Sequence, residues 1–255
     1  MATEKVQLTS RPFQALFNDA DYHLESAEKY HNTLVDQSKK KEVLPDQSLL
    51  KKETAHSRAC IIVTILGLEA FCNSVLAKIK VREADSLPEE WELRKSQAGN
   101  WPIRPKIRCL PTFCNKEIIR PDEVFPEDDK VYEMFCELVD VRNSLAHGRL
   151  TQVVYSVTFK PDRVHSVDDR HPENFWPISG IPKDIFGIAY PHAQRAHDNL
   201  VKMIRKLLAS LDCGITKAFL LDQEIRDRGR ISHRRRQANS LAPPVWYTKV
   251  MSSEQ

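Results

Sequence analysis

Arg142-Asn143-Ser144-Leu145-Ala146-His147 places a guanidinium, a carboxamide and an imidazole within six residues. An imidazole titrates near neutrality and can move protons. A guanidinium stays charged, and its planar fork matches a phosphate. Asn143 and His147 are four residues apart, so on a helix they share a face and the carboxamide is placed to orient the ring. Arg142 and His147 are five apart, and the 3.6-residue period turns them roughly 140° away from each other. One copy of the segment is therefore a poor two-residue site. Two copies related by a two-fold axis would bring two Arg and two His together. A plainer reading stays open, in which the segment is a polar patch at a helix end and His147 sits favourably against the C-terminal dipole.

The same Arg-to-His spacing class recurs from Arg226 and from Arg228 to His233, inside a basic segment. Arg142 and His147 differ in context, having the intervening Asn, an amphipathic helix before them and Gly148 after them. Glu69 and Asn73, also four apart, lie in the most apolar stretch of the chain and read as buried polar groups that fix helix packing and could underlie a site. The six cysteines contain no C-x-x-C pair, so no metal centre is expected. Cys109 and Cys114 read as loop thiols, and His192 and His197 as flanking the core face of a helix. None of the seven glycines forms a phosphate-binding loop, which leaves P-loop and dinucleotide folds unsupported and no cofactor expected.

Four long helices must position these groups. Phe13, Phe17, Ala20, Leu24, Ala27 and Leu34 keep helical spacing and predict a helix over 11–38. A second spans 48–82, with Ile61, Ile65, Leu68, Cys72 and Leu76 on one stripe and an apolar middle third on nearly every side, as for the central helix of a bundle. A third starts near Pro126–Asp129, with Val131, Phe135, Leu138 and Leu145 inward and Gly148 as its stop. A fourth covers 191–213 through Ala193, Ala196, Leu200, Ile204, Leu207 and Leu211. Six prolines punctuate 84–126, which predicts a long irregular excursion with at most a short helix at Glu89–Arg94. Thr151–Lys160 alternates like a strand, and Ile185–Tyr190 is its expected partner in a small β-hairpin. The expected architecture is all-α: an antiparallel four-helix bundle over 11–213, with a Pro-rich insertion at 84–126 and a β-hairpin insertion at 151–190. A helical piece at 215–226 and a basic tail complete residues 214–255.

The net charge of +3 names no partner, but its distribution is uneven. Arg226, Arg228, Arg230, Arg234, Arg235 and Arg236 crowd one short segment, which reads either as a solvated tail or as an arm that meets nucleic-acid phosphates. Met1-Ala2-Thr3-Glu4-Lys5 lacks the apolar core of a signal peptide, so a cytoplasmic location with free thiols is expected. The longest apolar run, Ala59–Cys72, holds Thr64 and Glu69 and is short for a bilayer, so no membrane role is expected.

The segment from Arg142 to His147 resembles the R-x4-6-H motif of the HEPN superfamily, in its RN-x3-H form. Leu68-Glu69-Ala70-Phe71-Cys72-Asn73 resembles that superfamily's central-helix pattern, an apolar helix with Glu and Asn four apart. The order also agrees, with the apolar helix first and the motif at the end of a later one. The resemblance covers the bundle within 11–213, but not the loop at 84–126, the details of the hairpin or the tail, and implies a metal-independent endoribonuclease with a composite site at a homodimer interface. In such a site the His acts on the ribose 2′-hydroxyl or the leaving oxygen, and the Arg steadies the phosphate. The resemblance also implies RNA as partner and a place in a toxin–antitoxin or anti-phage defence system. Members that bind RNA, a nucleotide or a protein without catalysis are the alternative, and a plain helical scaffold is a third reading. Where some toxin members continue as H-x-Y with a modifiable Tyr, this chain has Arg149, which excludes that form of control.

Overall fold

The computed structural model describes residues 12–39, 46–82, 101–115, 121–126, 128–147, 154, 156–160, 163–168 and 171–211. The expected short helix at Glu89–Arg94, the stop at Gly148, the helical piece at 215–226 and the arginine tail lie outside the described residues. The described part is mainly helical. Its elements are α1 (Pro12–Ser38), α2 (Gln47–Arg82), α3 (Ile103–Cys114), α4 (Pro121–Val124), α5 (Lys130–His147), β1 (Ser156–Lys160), β2 (Arg163–Asp168), a 3-10 turn (Pro172–Asn174) and α6 (Tyr190–Ser210).

α2 is the hub, against which α1, α3, α5 and α6 all pack. Its stripe of Ile61, Ile65, Leu68, Cys72 and Leu76 is buried, as its all-round apolar middle requires. The stretch Gln47–Ala77 is long and apolar enough to cross a membrane, so the shorter run read from the sequence understated it. More than half of its most apolar window is covered by the other helices, and that packing accounts for its composition. Along α1 and α2, Phe13 meets Phe71 edge-on at 5.6 Å, Phe17 lies over Gly67, and His31 reaches Glu53, so the two helices run antiparallel. A Cβ on Gly67 would stand 3.0 Å from the Phe17 ring, so glycine permits this close approach.

The proline-rich excursion is in part a core helix. In α3, Ile103, Ile107, Leu110 and Phe113 form a buried stripe at helical spacing. Pro105 is in the first turn, where backbone N–H groups have no intrahelical acceptor, whereas Pro111 lies inside the helix and leaves the Ile107 carbonyl without its i+4 donor. Asn115 closes the end, its side-chain amide donating to the Pro111 carbonyl at 2.6 Å and to Ser210 of α6 at 2.7 Å. Cys109 and Cys114 are therefore helical thiols, and Cys114 is buried.

β1 pairs antiparallel with β2, the register shifting between Thr158 and Phe159. The partner expected at Ile185–Tyr190 is wrong, because that stretch turns and then begins α6 at Tyr190. Pro161-Asp162, between the strands, is a turn signal that makes a local pairing cheaper to close than one across some twenty-five residues.

α5 begins at a cap. Asp129 Oδ1 accepts the N–H groups of Val131 and Tyr132, both at 2.9 Å, and Oδ2 pairs with Lys206 of α6. Buried Glu137, in the middle of α5, accepts the N–H groups of Ile178 at 2.9 Å and Ser179 at 2.6 Å. These bonds clamp the turn from Trp176 to Ile181, which passes through Gly180 at φ +65°, a conformation that favours glycine.

Candidate functional site

Arg142, Asn143 and His147 all belong to the last turns of α5. Arg142 is turned inward. Its guanidinium Nη2 stands 3.7 Å from Glu69 Oε2 of α2, and its side chain is only 19% exposed. Its Nε is buried with no hydrogen-bond partner. Ser144, two residues on along the same helix, is also buried. His147 is exposed and ends α5. Among the described residues no hydrogen bond joins Asn143 to His147, so sharing a face has not made the carboxamide an anchor for the ring. The inward Arg and outward His follow from the five-residue offset along one helix.

Glu69 and Asn73 are one turn apart on α2, and each engages a cation from a different helix. Glu69 faces Arg142 of α5. Asn73 Oδ1 accepts from Lys106 Nζ of α3 at 2.7 Å. Asn73 itself is exposed, so its expected burial is wrong, while Lys106 is only 2% exposed. A buried ammonium is costly unless it is bonded, and the carboxamide oxygen answers one of its three protons. The two separated segments singled out in the sequence thus meet, with Lys106 added from the stretch expected to be irregular. Its signal was a lysine at an inward position of the Ile103, Ile107, Leu110 stripe, which the surrounding prolines obscured.

Between Glu69 and Asn73 lies Cys72, fully buried, and burial pushes its thiol up to about 12. It stays protonated near neutrality and offers no thiolate. Among the described residues no group of three His, Cys, Asp or Glu is placed to hold a metal ion. The ridge Arg142–Glu69–Asn73–Lys106 carries two cations and one carboxylate. With His147 at the nearby surface, it offers a proton carrier and fixed positive charge, the elements of anion binding and acid–base chemistry.

Two further polar clusters involve His197 and His192, which the sequence places flanking the core face of their helix without showing their partners. His197 is buried in the core face of α6 and its Nε2 lies 3.0 Å from Asp21 Oδ1 of α1. At the start of α6, Glu53 Oε1 of α2 accepts the Tyr190 N–H at 3.0 Å and faces His31 Nδ1 at 2.8 Å. A carboxylate suits that positive helix end. His192 Nδ1 accepts the Ala189 N–H at 3.0 Å in the same turn. Burial, with Arg195 nearby, holds the His192 imidazole below its ordinary proton affinity.

Compared with known proteins, the chain matches no family model, no curated protein and no solved structure.

Proposed function

We propose that the protein is a metal-independent endoribonuclease of HEPN type, acting as a homodimer. The observation that carries this reading is the meeting of Arg142 with Glu69, which joins the two segments on which the resemblance rests. The four long helices α1, α2, α5 and α6 then form the antiparallel bundle, and their mutual packing supports that arrangement. In the proposed reaction a ribose 2′-oxygen attacks the adjacent phosphorus. The O2′–P bond forms as the P–O5′ bond breaks, giving a 2′,3′-cyclic phosphate and a 5′-hydroxyl. His147 takes the 2′-hydroxyl proton or supplies one to the leaving oxygen, and Arg142 steadies the charge on the phosphate. Arg226, Arg228, Arg230, Arg234, Arg235 and Arg236 would hold RNA through phosphates without reading its sequence. A cytoplasmic setting and a partner antitoxin or defence protein belong to the same proposal.

The inward turn of Arg142 favours a second reading, a non-catalytic module of the same type that binds RNA, a nucleotide or a protein. One experiment separates the two. In EDTA the nuclease cuts single-stranded RNA and spares DNA of the same sequence, which lacks the 2′-hydroxyl. His147→Ala lowers the rate by about a hundredfold or more, and Arg142→Ala by at least as much. Equal trace activity in wild type and His147→Ala, or a requirement for added magnesium, would overturn the nuclease and leave binding.

A further inference from the structure

Far along α2 from the motif, α1 and α2 bring two imidazoles together. His23 Nδ1 and His56 Nδ1 are 2.9 Å apart, with ring centroids at 5.1 Å. A nitrogen–nitrogen contact this short needs one hydrogen between the atoms, so one ring donates and the other accepts. Two neutral imidazoles can do this, and so can a neutral ring beside a protonated one. Two protonated rings cannot, because both nitrogens then carry hydrogen and two like charges face each other.

The surroundings do not compensate for a second charge. On α1 the rings meet Tyr22, which is 61% exposed, and Tyr30. On α2, Lys52 stands over Tyr30 at 5.8 Å and adds a further cation. The nearby carboxylates are engaged elsewhere: Asp21 faces His197 of α6, and Glu53 faces His31 and the Tyr190 N–H of α6. α6 also presents Asp198, 4.0 Å from His197, and His192, which is bonded to the Ala189 backbone. Asp19, one turn from His23 on α1, is exposed. Among the described residues no carboxylate pairs with either ring. Burial and the neighbouring His23 both lower the proton affinity of His56.

We propose that the His23–His56 contact is a proton-sensitive clasp between α1 and α2, closed near and above neutrality and opened when mild acid protonates both rings. It is independent of the nuclease reading. His31 and His197 face carboxylates, so a whole-protein pH profile sums several imidazoles and does not isolate the clasp. The test is a pair of single variants and their combination, His23→Phe, His56→Phe and both together, which keep a ring and remove the proton site. Thermal midpoints are read at pH 8 and pH 5. At pH 8 each single variant falls below wild type, and the second substitution adds little because both remove one shared contact. At pH 5 each single variant rises relative to wild type. Shifts equal in sign and size at both pH values would overturn the clasp. Side-chain NMR of the wild-type imidazoles provides a readout that needs no variant. The clasp requires one imidazole N–H shared between His23 and His56 to be seen at pH 8 and lost at pH 5, and a signal unchanged between the two pH values would equally overturn it.

Discussion

Replacing Glu137 with Ala tests whether the helix that carries Arg142 and His147 is held by the bonds described. Glu137 is buried in α5 and accepts two backbone N–H groups from the turn beyond the β-strands. Bonds to a charged acceptor contribute about 1.5–3 kcal/mol each. The two donors are not equivalent. Ile178 is exposed, so water can replace the carboxylate at its N–H, whereas Ser179 is fully buried and its N–H would be left without an acceptor. An orphaned buried donor costs about 1–3 kcal/mol. Relief from burying the carboxylate offsets part of this, and the expected net loss is about 2–4 kcal/mol. Glu137→Gln keeps the shape and one acceptor oxygen but turns an NH2 toward a donor, so it should lose about half as much.

The assay is urea unfolding at pH 7, followed by far-ultraviolet circular dichroism and by tryptophan fluorescence, because Trp176 lies in the clamped turn. Stability should fall in the order Glu, Gln, Ala. The fluorescence transition of the Ala variant should precede its loss of helix, since the turn loses its anchor first. A Glu137→Ala loss below about 0.5 kcal/mol, the range of ordinary surface substitutions, would refute the reasoning. So would a Gln variant less stable than Ala.

Two further outcomes follow from particular bonds. Asp129→Ala removes the cap of α5 and the partner of Lys206, and should cost about 1–3 kcal/mol in urea unfolding; Asp129→Asn keeps the cap and should cost less, and equal losses would show that the cap contributes nothing beyond the charge. The folded-state proton affinity of His192 is depressed by burial and Arg195, so its contribution is intact above the unfolded value near 6.5 and is lost as pH falls from there toward the lower folded value. His192→Asn should therefore flatten the fall in stability between pH 7 and pH 5, and an unchanged slope would contradict it.

The long helices were legible because burial repeats at helical spacing. Phe13, Phe17, Ala20 and Ala27 on α1, and Ala193, Ala196, Leu200, Ile204 and Leu207 on α6, are buried as their periods require. α3 was not legible because proline density outweighed an equally regular stripe, although proline in a first or last turn does not prevent a short helix. The strand partner is not legible from side-chain type, because Ile185–Tyr190 has the composition of a strand but turns and enters α6. At the site, the sequence placed Glu69, Asn73, Arg142 and His147 on their helices, but spacing along one chain cannot say which residue of a distant helix lies opposite. Lys106 facing Asn73 and Glu137 clamping Ser179 are tertiary pairings of that kind. Asn73 was assigned to the interior because α2 is apolar around it, yet it sits at the helix surface, where its oxygen can reach the buried ammonium.

The Arg142–Glu69 pair also bears on how a phosphate could be held. At 3.7 Å it is longer than the 2.7–2.9 Å of a well-formed charge-assisted bond. Partial exposure of both side chains screens it, so it falls among pairs that contribute about 0–1 kcal/mol. With Nε unpartnered, the guanidinium gives up little by leaving Glu69 for a phosphate that accepts two parallel bonds. Glu69 then sets the resting position of Arg142 without locking it there. The fixed element is the helix itself, whose period directs Arg142 inward and His147 outward. Within the proposed nuclease, the imidazole that serves a phosphate held by one chain's Arg142 is therefore more readily supplied by a second copy than by the same helix. That is why the reading needs the dimer, and why loss of His147 and loss of Arg142 should each disable both halves of a symmetric site.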